Sequence, residues 1–194
     1  MAVSHLLYLH GFRSSPQSTK ARQVAARVRE RHPQVTWWCP QLPPSPKAAM
    51  DMVMQGVARW PAGAMAVIGS SLGGFYATYV AQAKGCKAVL LNPVIHAARE
   101  LANYTGEQTA WHNPNEHFHF EPRFVDELRA LESGPIARPE NVFAVIAKGD
   151  ELLDWREMTA RYAGTRMRLL EGGDHALSAF EDQLDEVFAF LGLT

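Results

Sequence analysis

Short runs of apolar residues recur along the chain, and most of them end in glycine or proline. Near-continuous hydrophobicity, rather than strict alternation, is typical of strands that are covered on both faces in a parallel sheet. The pattern therefore predicts six strands, at residues 5–11, 35–40, 64–69, 87–93, 141–149 and 165–173.

Helical patterns lie between these runs. Ser15 before Pro16 has the form of an N-cap with proline at the first helical position. Further helices are predicted over 47–59 and 71–84, and apolar residues recur at helical spacing over 177–191. Because strand and helix alternate, the sequence predicts an α/β fold with a mostly parallel sheet and helices on both faces.

One segment, residues 96–135, breaks this alternation. It contains no convincing strand, and it includes the helical stretch RFVDELRAL. An insertion of this size after a strand is more often a functional cap than a passive loop. We therefore expect a single domain over residues 1–194 with a cap-like insertion at about 96–135.

Charge and composition exclude several classes of function. Lys and Arg total 19 against 20 Asp and Glu, so the chain offers no basic face for a nucleic acid. The two cysteines, Cys39 and Cys86, lie in apolar segments and indicate buried thiols in a reducing compartment. Without a signal-like start or an apolar run of about 20 residues, we expect a cytoplasmic protein with no membrane span.

The stretch VIGSSLGGF carries the first candidate for chemistry. A nucleophile on a tight strand-to-helix turn needs small residues two positions before and after it. Gly69 and Gly73 satisfy this condition for Ser71, whereas the same frame around Ser70 would place Ile68 and Leu72 at those positions. Ser71 is therefore the predicted nucleophile, although a structural turn without chemistry can have the same motif.

A serine hydroxyl needs a base, and the base needs a group that fixes its tautomer. In this type of sheet the partners follow in the order serine, acid, histidine, each after a later strand. Asp150 and His175 fit this order. Asp154 and Asp174 are alternative acids, but the sequence predicts a solvated helix carboxylate for the first and a helix cap for the second.

The oxyanion of an acyl-transfer intermediate needs backbone donors. The N–H of Leu72 follows the nucleophile, and Gly11 allows a tight turn that points the N–H of Phe12 into the site. His10, beside that turn, is expected to support it by packing or hydrogen bonding. Arg13 is a candidate for binding an anionic substrate group, although a solvated arginine would fit the sequence equally well.

The histidine-rich stretch WHNPNEHFHF raises the alternative of a zinc site. The helical H-E-x-x-H spacing is absent, and Pro114 argues against a helix through the cluster. The sequence therefore favours a polar cap surface formed by His112, His117 and His119, with no metal and no organic cofactor.

With these residues placed, the chain resembles the YqiA-like esterases, a group of small bacterial α/β-hydrolases. The resemblance rests on LLYLHGFRSSP, PQLPP, VIGSSLGGFYAT, LLNP, GDELLDW and EGGDHALSAFED. It implies a compact α/β-hydrolase fold, a triad of Ser71, Asp150 and His175, and hydrolysis of small carboxylic esters, with short acyl chains the usual expectation. The histidine and aromatic content of the insertion does not match a pattern of the family.

Two alternatives stay open at this point. The same triad would serve a thioesterase or an acyltransferase, and a chain with a degenerate site would act as a binding module.

Overall fold

A computed structural model describes residues 2–193. Its strands, numbered along the chain, are β1 (His5–Leu9), β2 (Thr36–Trp38), β3 (Met65–Ser70), β4 (Lys87–Leu91), β5 (Gly106–Thr109), β6 (His117–Phe120), β7 (Val142–Ala147) and β8 (Arg166–Leu170). The helices are α1 (Thr19–Arg31), α2 (Pro46–Gly56), α3 (Leu72–Lys84), α4 (Ala97–Leu101), α5 (Pro122–Ala130), α6 (Trp155–Arg161) and α7 (Leu184–Leu191).

The six predicted strands are confirmed, and they form one sheet in the order β2-β1-β3-β4-β7-β8. Every neighbouring pair in this sheet is parallel. All six strands therefore end at the same edge, so the loops that follow β1, β3, β7 and β8 meet there.

Both faces of the sheet are covered, as the continuous apolar runs predict. In β1, Leu7 and Leu9 pack with α2 and α3 on one face, whereas Leu6 and Tyr8 pack with α1 and α7 on the other. Side chains of successive strand residues point to opposite faces, so a strand buried on both sides has no polar positions.

Two helix starts differ from the prediction. Helix α1 begins at Thr19 with Ser18 at the N-cap, while Ser15 accepts a hydrogen bond from the backbone N–H of Gln17 in the preceding turn. The final helical segment begins as a 3-10 turn at Phe180 and becomes α7 at Leu184. Ser15 is therefore not a helix cap, and the loop after β8 is longer than the sequence indicated.

The expectation that residues 96–135 hold no strand is wrong. Strands β5 and β6 pair as an antiparallel hairpin, with Gly106 opposite Phe120 and Thr109 opposite His117. The stretch HFHF alternates between exposed histidines and more buried phenylalanines, which is the pattern of a strand with one covered face. It differs from the runs of the main sheet because only one side of this hairpin packs on the protein.

The predicted helix in the same segment is confirmed as α5, which buries Phe124, Val125 and Leu128. No helix within residues 2–193 has both the length and the apolar composition required to cross a bilayer.

Candidate active site

The turn between β3 and α3 places Ser71 at the edge of the sheet with φ of 56° and ψ of −120°. A non-glycine residue with positive φ is strained, and such strain is found where the surrounding structure holds a functional side chain in place. The backbone of Ser71 is held from both sides, because its N–H donates to Leu91 O at 2.9 Å and its carbonyl accepts from Val94 N at 3.0 Å.

The glycines around Ser71 explain how the turn fits between its neighbours. A Cβ on Gly69 would lie 2.0 Å from Gly73 O, and a Cβ on Gly73 would lie 2.0 Å from Leu9 O. A Cβ on Gly74 would lie 2.7 Å from the Pro93 side chain. Helix α3 can therefore approach β1 and β3 this closely only because no side chains intervene.

The structure brings Ser71, His175 and Asp150 into one hydrogen-bonded chain. His175 Nε2 lies 2.9 Å from Ser71 Oγ, and His175 Nδ1 lies 2.8 Å from Asp150 Oδ2. The three residues are up to 104 positions apart in the sequence. In this geometry Nδ1–H donates to the carboxylate, which leaves Nε2 free to accept the serine proton.

Asp150 is positioned by its own loop. Its side chain has 0% exposure, and Oδ1 accepts hydrogen bonds from the backbone N–H groups of Leu152 and Leu153, both at 2.9 Å. The alternative acids have other roles: Asp154 caps α6 through the N–H of Arg156, and Asp174 accepts from the N–H and hydroxyl of Ser178.

Two residues that the sequence analysis did not single out hold the histidine loop. The amide nitrogen of Asn92 donates to the carbonyls of Asp174 and His175 at 3.0 and 3.2 Å, and its oxygen accepts from Ala147 N at 2.8 Å. Glu151 accepts a hydrogen bond from the N–H of His175 at 2.9 Å. Asn92 follows directly after β4, in the stretch LLNP, and this polar residue at a strand end was the available signal.

The loop after β1 lies directly against the nucleophile. A Cβ on Gly11 would lie 3.2 Å from Ser71 Cβ and 3.7 Å from Ser71 Oγ. The next residue is Phe12, and Leu72 is the first residue of α3, so its N–H has no acceptor within the helix. The two predicted donors therefore belong to segments on either side of the serine hydroxyl.

His10 supports this loop from beneath, as the sequence predicted for it. It is almost fully buried, its Nδ1 lies 2.9 Å from Gly11 O, and its Nε2 accepts the N–H of Leu42 at 3.0 Å. Burial lowers the pKa of His10, and the hydrogen bond to Gly11 O opposes that shift only in part. The ring is therefore held in its neutral form, with the proton on Nδ1.

The insertion reaches the same loop through aromatic side chains. The ring of Phe12 packs edge-on against Tyr104, Phe118 and Phe120, with centroid distances of 5.5, 5.8 and 5.3 Å. We call these three residues the aromatic nest. They lie in or beside the β5–β6 hairpin, so the insertion holds the side chain of Phe12, the residue that follows Gly11 in the loop beside the nucleophile.

Arg13 also connects the loop to the hairpin. Its Nε donates to Thr109 O at 2.6 Å, its guanidinium lies 4.1 Å from the centroid of the Trp111 ring, and its carbonyl accepts the N–H of Trp111. The role of Arg13 in binding an anionic substrate group stays a prediction.

The three histidines of the insertion contact different partners. His112 lies 3.0 Å from Glu116, His119 lies 3.1 Å from Glu107, and His117 lies 3.2 Å from the hydroxyl of Thr109. They are spread along the hairpin and its turn instead of converging on one point.

A cleft of about 350 Å³ opens over Ser71 and His175. The exposed large apolar side chains of residues 2–193 are Tyr104, Trp111 and Leu152, with Trp111 72% exposed, and all three line this cleft. Exposed apolar residues concentrated at one cleft are typical of a ligand-binding site.

Residues 5–192 match the model of the uncharacterised protein family UPF0227, the YqiA-like family. The chain belongs to this family. The match covers nearly the whole chain, including the turn around Ser71 and the loops that carry Asp150 and His175.

Solved structures similar to this UPF0227 member are α/β hydrolases. Alpha/beta hydrolase domain-containing protein 10 from mouse is 15% identical with a TM-score of 0.69, covering 96% of this chain and 90% of that one. Est1E from Butyrivibrio proteoclasticus, solved with ferulic acid bound, is 14% identical with a TM-score of 0.69, covering 96% and 86%. The esterase Pf2001 from Pyrococcus furiosus is 16% identical with a TM-score of 0.61, covering 98% and 81%. At these identities the likeness shows the fold, which is that of the α/β hydrolases.

Proposed function

We propose that the chain is a serine hydrolase that cleaves carboxylic esters of small molecules through an acyl-enzyme. The observation that carries this proposal is the hydrogen-bonded chain from Asp150 through His175 to Ser71, with separations of 2.8 and 2.9 Å. The α/β-hydrolase fold and an esterase among the similar structures support a hydrolase at a coarser level.

In the first step His175 Nε2 takes the proton of Ser71 as its oxygen attacks the ester carbonyl. The buried carboxylate of Asp150 holds the ring in the required tautomer and stabilises the imidazolium that forms. The protonated His175 then gives its proton to the alcohol oxygen as the ester bond breaks. Water, activated by the same nitrogen, hydrolyses the acyl-enzyme in the second step.

The oxyanion of each tetrahedral intermediate needs donors that are already oriented before the reaction. We assign this role to the backbone N–H groups of Leu72 and Phe12. The close approach of Gly11 to Ser71 supports the assignment, because it places the segment that carries Phe12 against the nucleophile, and Leu72 is the residue that follows the nucleophile.

Short acyl esters are the proposed substrates. The cleft of about 350 Å³ is near the lower end of the volumes of small-molecule sites, and its lining includes apolar side chains such as Val94 and Leu101. A series of p-nitrophenyl esters of increasing acyl length tests this, and kcat/KM should fall once the chain exceeds the pocket. The matching oxygen ester and thioester, compared at equal acyl length, separate an esterase from a thioesterase.

The decisive experiment is covalent labelling. A fluorophosphonate probe should label the wild-type chain, and peptide mapping should locate the adduct on Ser71. The Ser71→Ala variant should lose both the labelling and, by roughly 10⁴-fold or more, the ester hydrolysis. Ser70→Ala is the matched control and should still be labelled. A wild-type chain that is not labelled would indicate a binding module, and an adduct on another residue would indicate a different nucleophile. Either result would contradict the proposal.

A further inference from the structure

The cleft over Ser71 has two ends of different chemistry. Leu101, Tyr104 and Trp111 of the insertion line one end, and the rings of Tyr104 and Trp111 are exposed there. The other end is formed by Tyr8, Ser18 and Lys20, which all carry hydrogen-bond donors. We call these three residues the Lys20 subsite.

The ammonium group of Lys20 is partly buried and is not matched by a carboxylate in contact with it. Within residues 2–193 its hydrogen-bond acceptor is the carbonyl oxygen of Ala176, next to His175. The carboxylates whose charges act on Lys20 are those of Asp174 and Asp150. Each already has a hydrogen-bond partner, which is Ser178 for Asp174 and His175 for Asp150. Burial lowers the pKa of Lys20, because removal from water disfavours the charged ammonium more than the two carboxylates stabilise it.

The hydroxyl of Tyr8 gives a second, independent indication of a missing acceptor. The residue has 0% exposure, and its hydroxyl lies beside the hydroxyls of Ser70 and Ser18 without a hydrogen bond of acceptable geometry to any described residue. A buried hydroxyl without a partner is costly, and one at the wall of a cleft is satisfied when a polar ligand binds there.

The start of α1 also favours a ligand that is negatively charged and accepts hydrogen bonds. Ser18 is the N-cap residue of this 13-residue helix, its side chain makes no capping hydrogen bond, and the first turn carries no acidic residue. The first N–H groups of a helix and its dipole favour a negative charge. The Lys20 subsite therefore combines a cation, the buried hydroxyl of Tyr8, the N-cap hydroxyl of Ser18 and a helix N-terminus.

We propose that the Lys20 subsite binds a carboxylate carried by the alcohol half of the ester substrate. This rests on the proposed function, because the assignment to the alcohol half follows from the mechanism. His175 must protonate the departing alcohol oxygen, so that half of the ester lies on the His175 side of Ser71. The Lys20 ammonium donates a hydrogen bond to the carbonyl of Ala176, the residue after His175, and so it faces the alcohol half of the ester.

The single charge of Lys20 favours a carboxylate over a phosphate dianion. The first negative charge of a ligand would pair with the Lys20 ammonium, whereas a second would have no cation within the subsite and would be repelled by Glu100, Asp150 and Asp174. The acyl half then lies toward the insertion. The expected substrate is an ester with an apolar acyl group and a carboxylate on its alcohol group.

A matched pair of esters tests this. Carboxyphenyl butanoate and carbamoylphenyl butanoate differ in charge but hardly in shape, and each is made with the substituent at the meta or the para position of the ring to vary the reach. For at least one position the wild-type kcat/KM should be about tenfold higher for the carboxylate, the gain expected from one charge-assisted hydrogen bond.

Three variants locate the origin of that preference. Lys20→Met should bring the carboxylate-to-amide ratio of kcat/KM close to one, Lys20→Arg should keep it well above one, and Tyr8→Phe should reduce it to a smaller extent. Lys47→Met removes an exposed lysine of α2 that pairs with Asp51 and should leave the ratio unchanged. Using the ratio separates ligand charge from any displacement of the histidine loop, because a displaced His175 slows both esters.

The outcomes are distinguishable. A wild-type chain that hydrolyses the amide-bearing ester but shows no preference for the carboxylate, or a preference that survives Lys20→Met, overturns the subsite and leaves the proposed hydrolase intact. A wild-type chain that hydrolyses neither ester and is not labelled by a fluorophosphonate overturns the proposed function, and the subsite with it.

Discussion

The two segments that meet at the Ser71 hydroxyl are held in place by different means. The nucleophile turn is fixed by backbone alone: Ser71 is bonded to Leu91 and Val94, and glycines let α3 approach the sheet. The loop that carries Phe12 is fixed largely by side chains, namely the aromatic nest and the contacts of Arg13 with the hairpin.

This difference matters for how each segment depends on the rest of the chain. The nucleophile turn is built from residues that are adjacent in sequence to β3 and α3, so it is complete once the sheet has formed. The Phe12 loop needs residues about a hundred positions later, in the insertion. We therefore expect changes in the turn to disrupt folding and changes in the nest to disrupt the reaction.

The largest effect is expected for Gly69→Ala. The new Cβ would lie 2.0 Å from Gly73 O, and neither β3 nor α3 can move away without losing packing on both faces. The free energy of unfolding, measured by urea titration, should fall by about 3 kcal/mol or more. Gly134→Ala is the control, because its Cβ meets nothing within 4 Å and should change stability by less than about 0.5 kcal/mol. Equal stabilities would contradict the close approach of helix and sheet.

The strands of the main sheet and the spacing around Ser71 could be predicted because their signals are local. An apolar run marks a strand buried on both sides, and glycines two positions away on either side mark the strained turn. The order of Asp150 and His175 along the chain then follows from the parallel sheet, in which successive strand ends share one edge.

The hairpin and the supports of the histidine loop could not be predicted in the same way. Strand β6 is four residues long and half exposed, so its alternating pattern is too short to separate from a loop. Asn92 is fully buried directly after β4, but its three hydrogen bonds go to backbone groups that are 55 to 83 positions away in the sequence. One side chain in the sequence does not indicate which backbone groups will face it.

Asn92→Ala should have the next largest effect, because Asn92 contributes both to the stability of the fold and to the position of His175. It leaves the N–H of Ala147 and the carbonyls of Asp174 and His175 without their partner, so the free energy of unfolding should fall by about 2 kcal/mol. Because His175 loses a fixed position, kcat should fall by about tenfold or more. Steady-state kinetics alongside urea unfolding checks both, and an unchanged kcat would show that this amide serves stability alone.

Phe118→Ala tests the nest directly. Removal of this ring takes away an edge contact of Phe12 at 5.8 Å, and the N–H of Phe12 should then be held less firmly. We expect kcat for a p-nitrophenyl ester to fall by about tenfold with a smaller change in KM, because the oxyanion forms only in the transition state. Phe118→Leu should recover part of the loss.

The matched control for this variant is Phe190→Ala. Phe190 is also a partly buried phenylalanine, but it packs on Phe143 at the opposite face of the sheet, with a centroid distance of 5.4 Å. It should lose a similar free energy of unfolding, about 1–2 kcal/mol for a partly buried ring, and keep its kcat. If both variants lose kcat equally, the nest acts through general stability and not through the Phe12 loop.

The smallest effect concerns pH and the buried His10. Burial lowers its pKa below the ordinary value of 6.5, so the unfolded chain binds a proton that the folded chain does not. Folding is favoured by this difference above about pH 6.5, and the advantage is lost as pH falls from there through the lowered pKa.

A protonated ring could also no longer accept the N–H of Leu42, which would release the Phe12 loop. His10→Gln should therefore show a shallower loss of unfolding free energy between about pH 7 and pH 5 than the wild type, as measured by urea unfolding at each pH. Parallel curves would mean that the titration of His10 does not contribute to the pH dependence of stability.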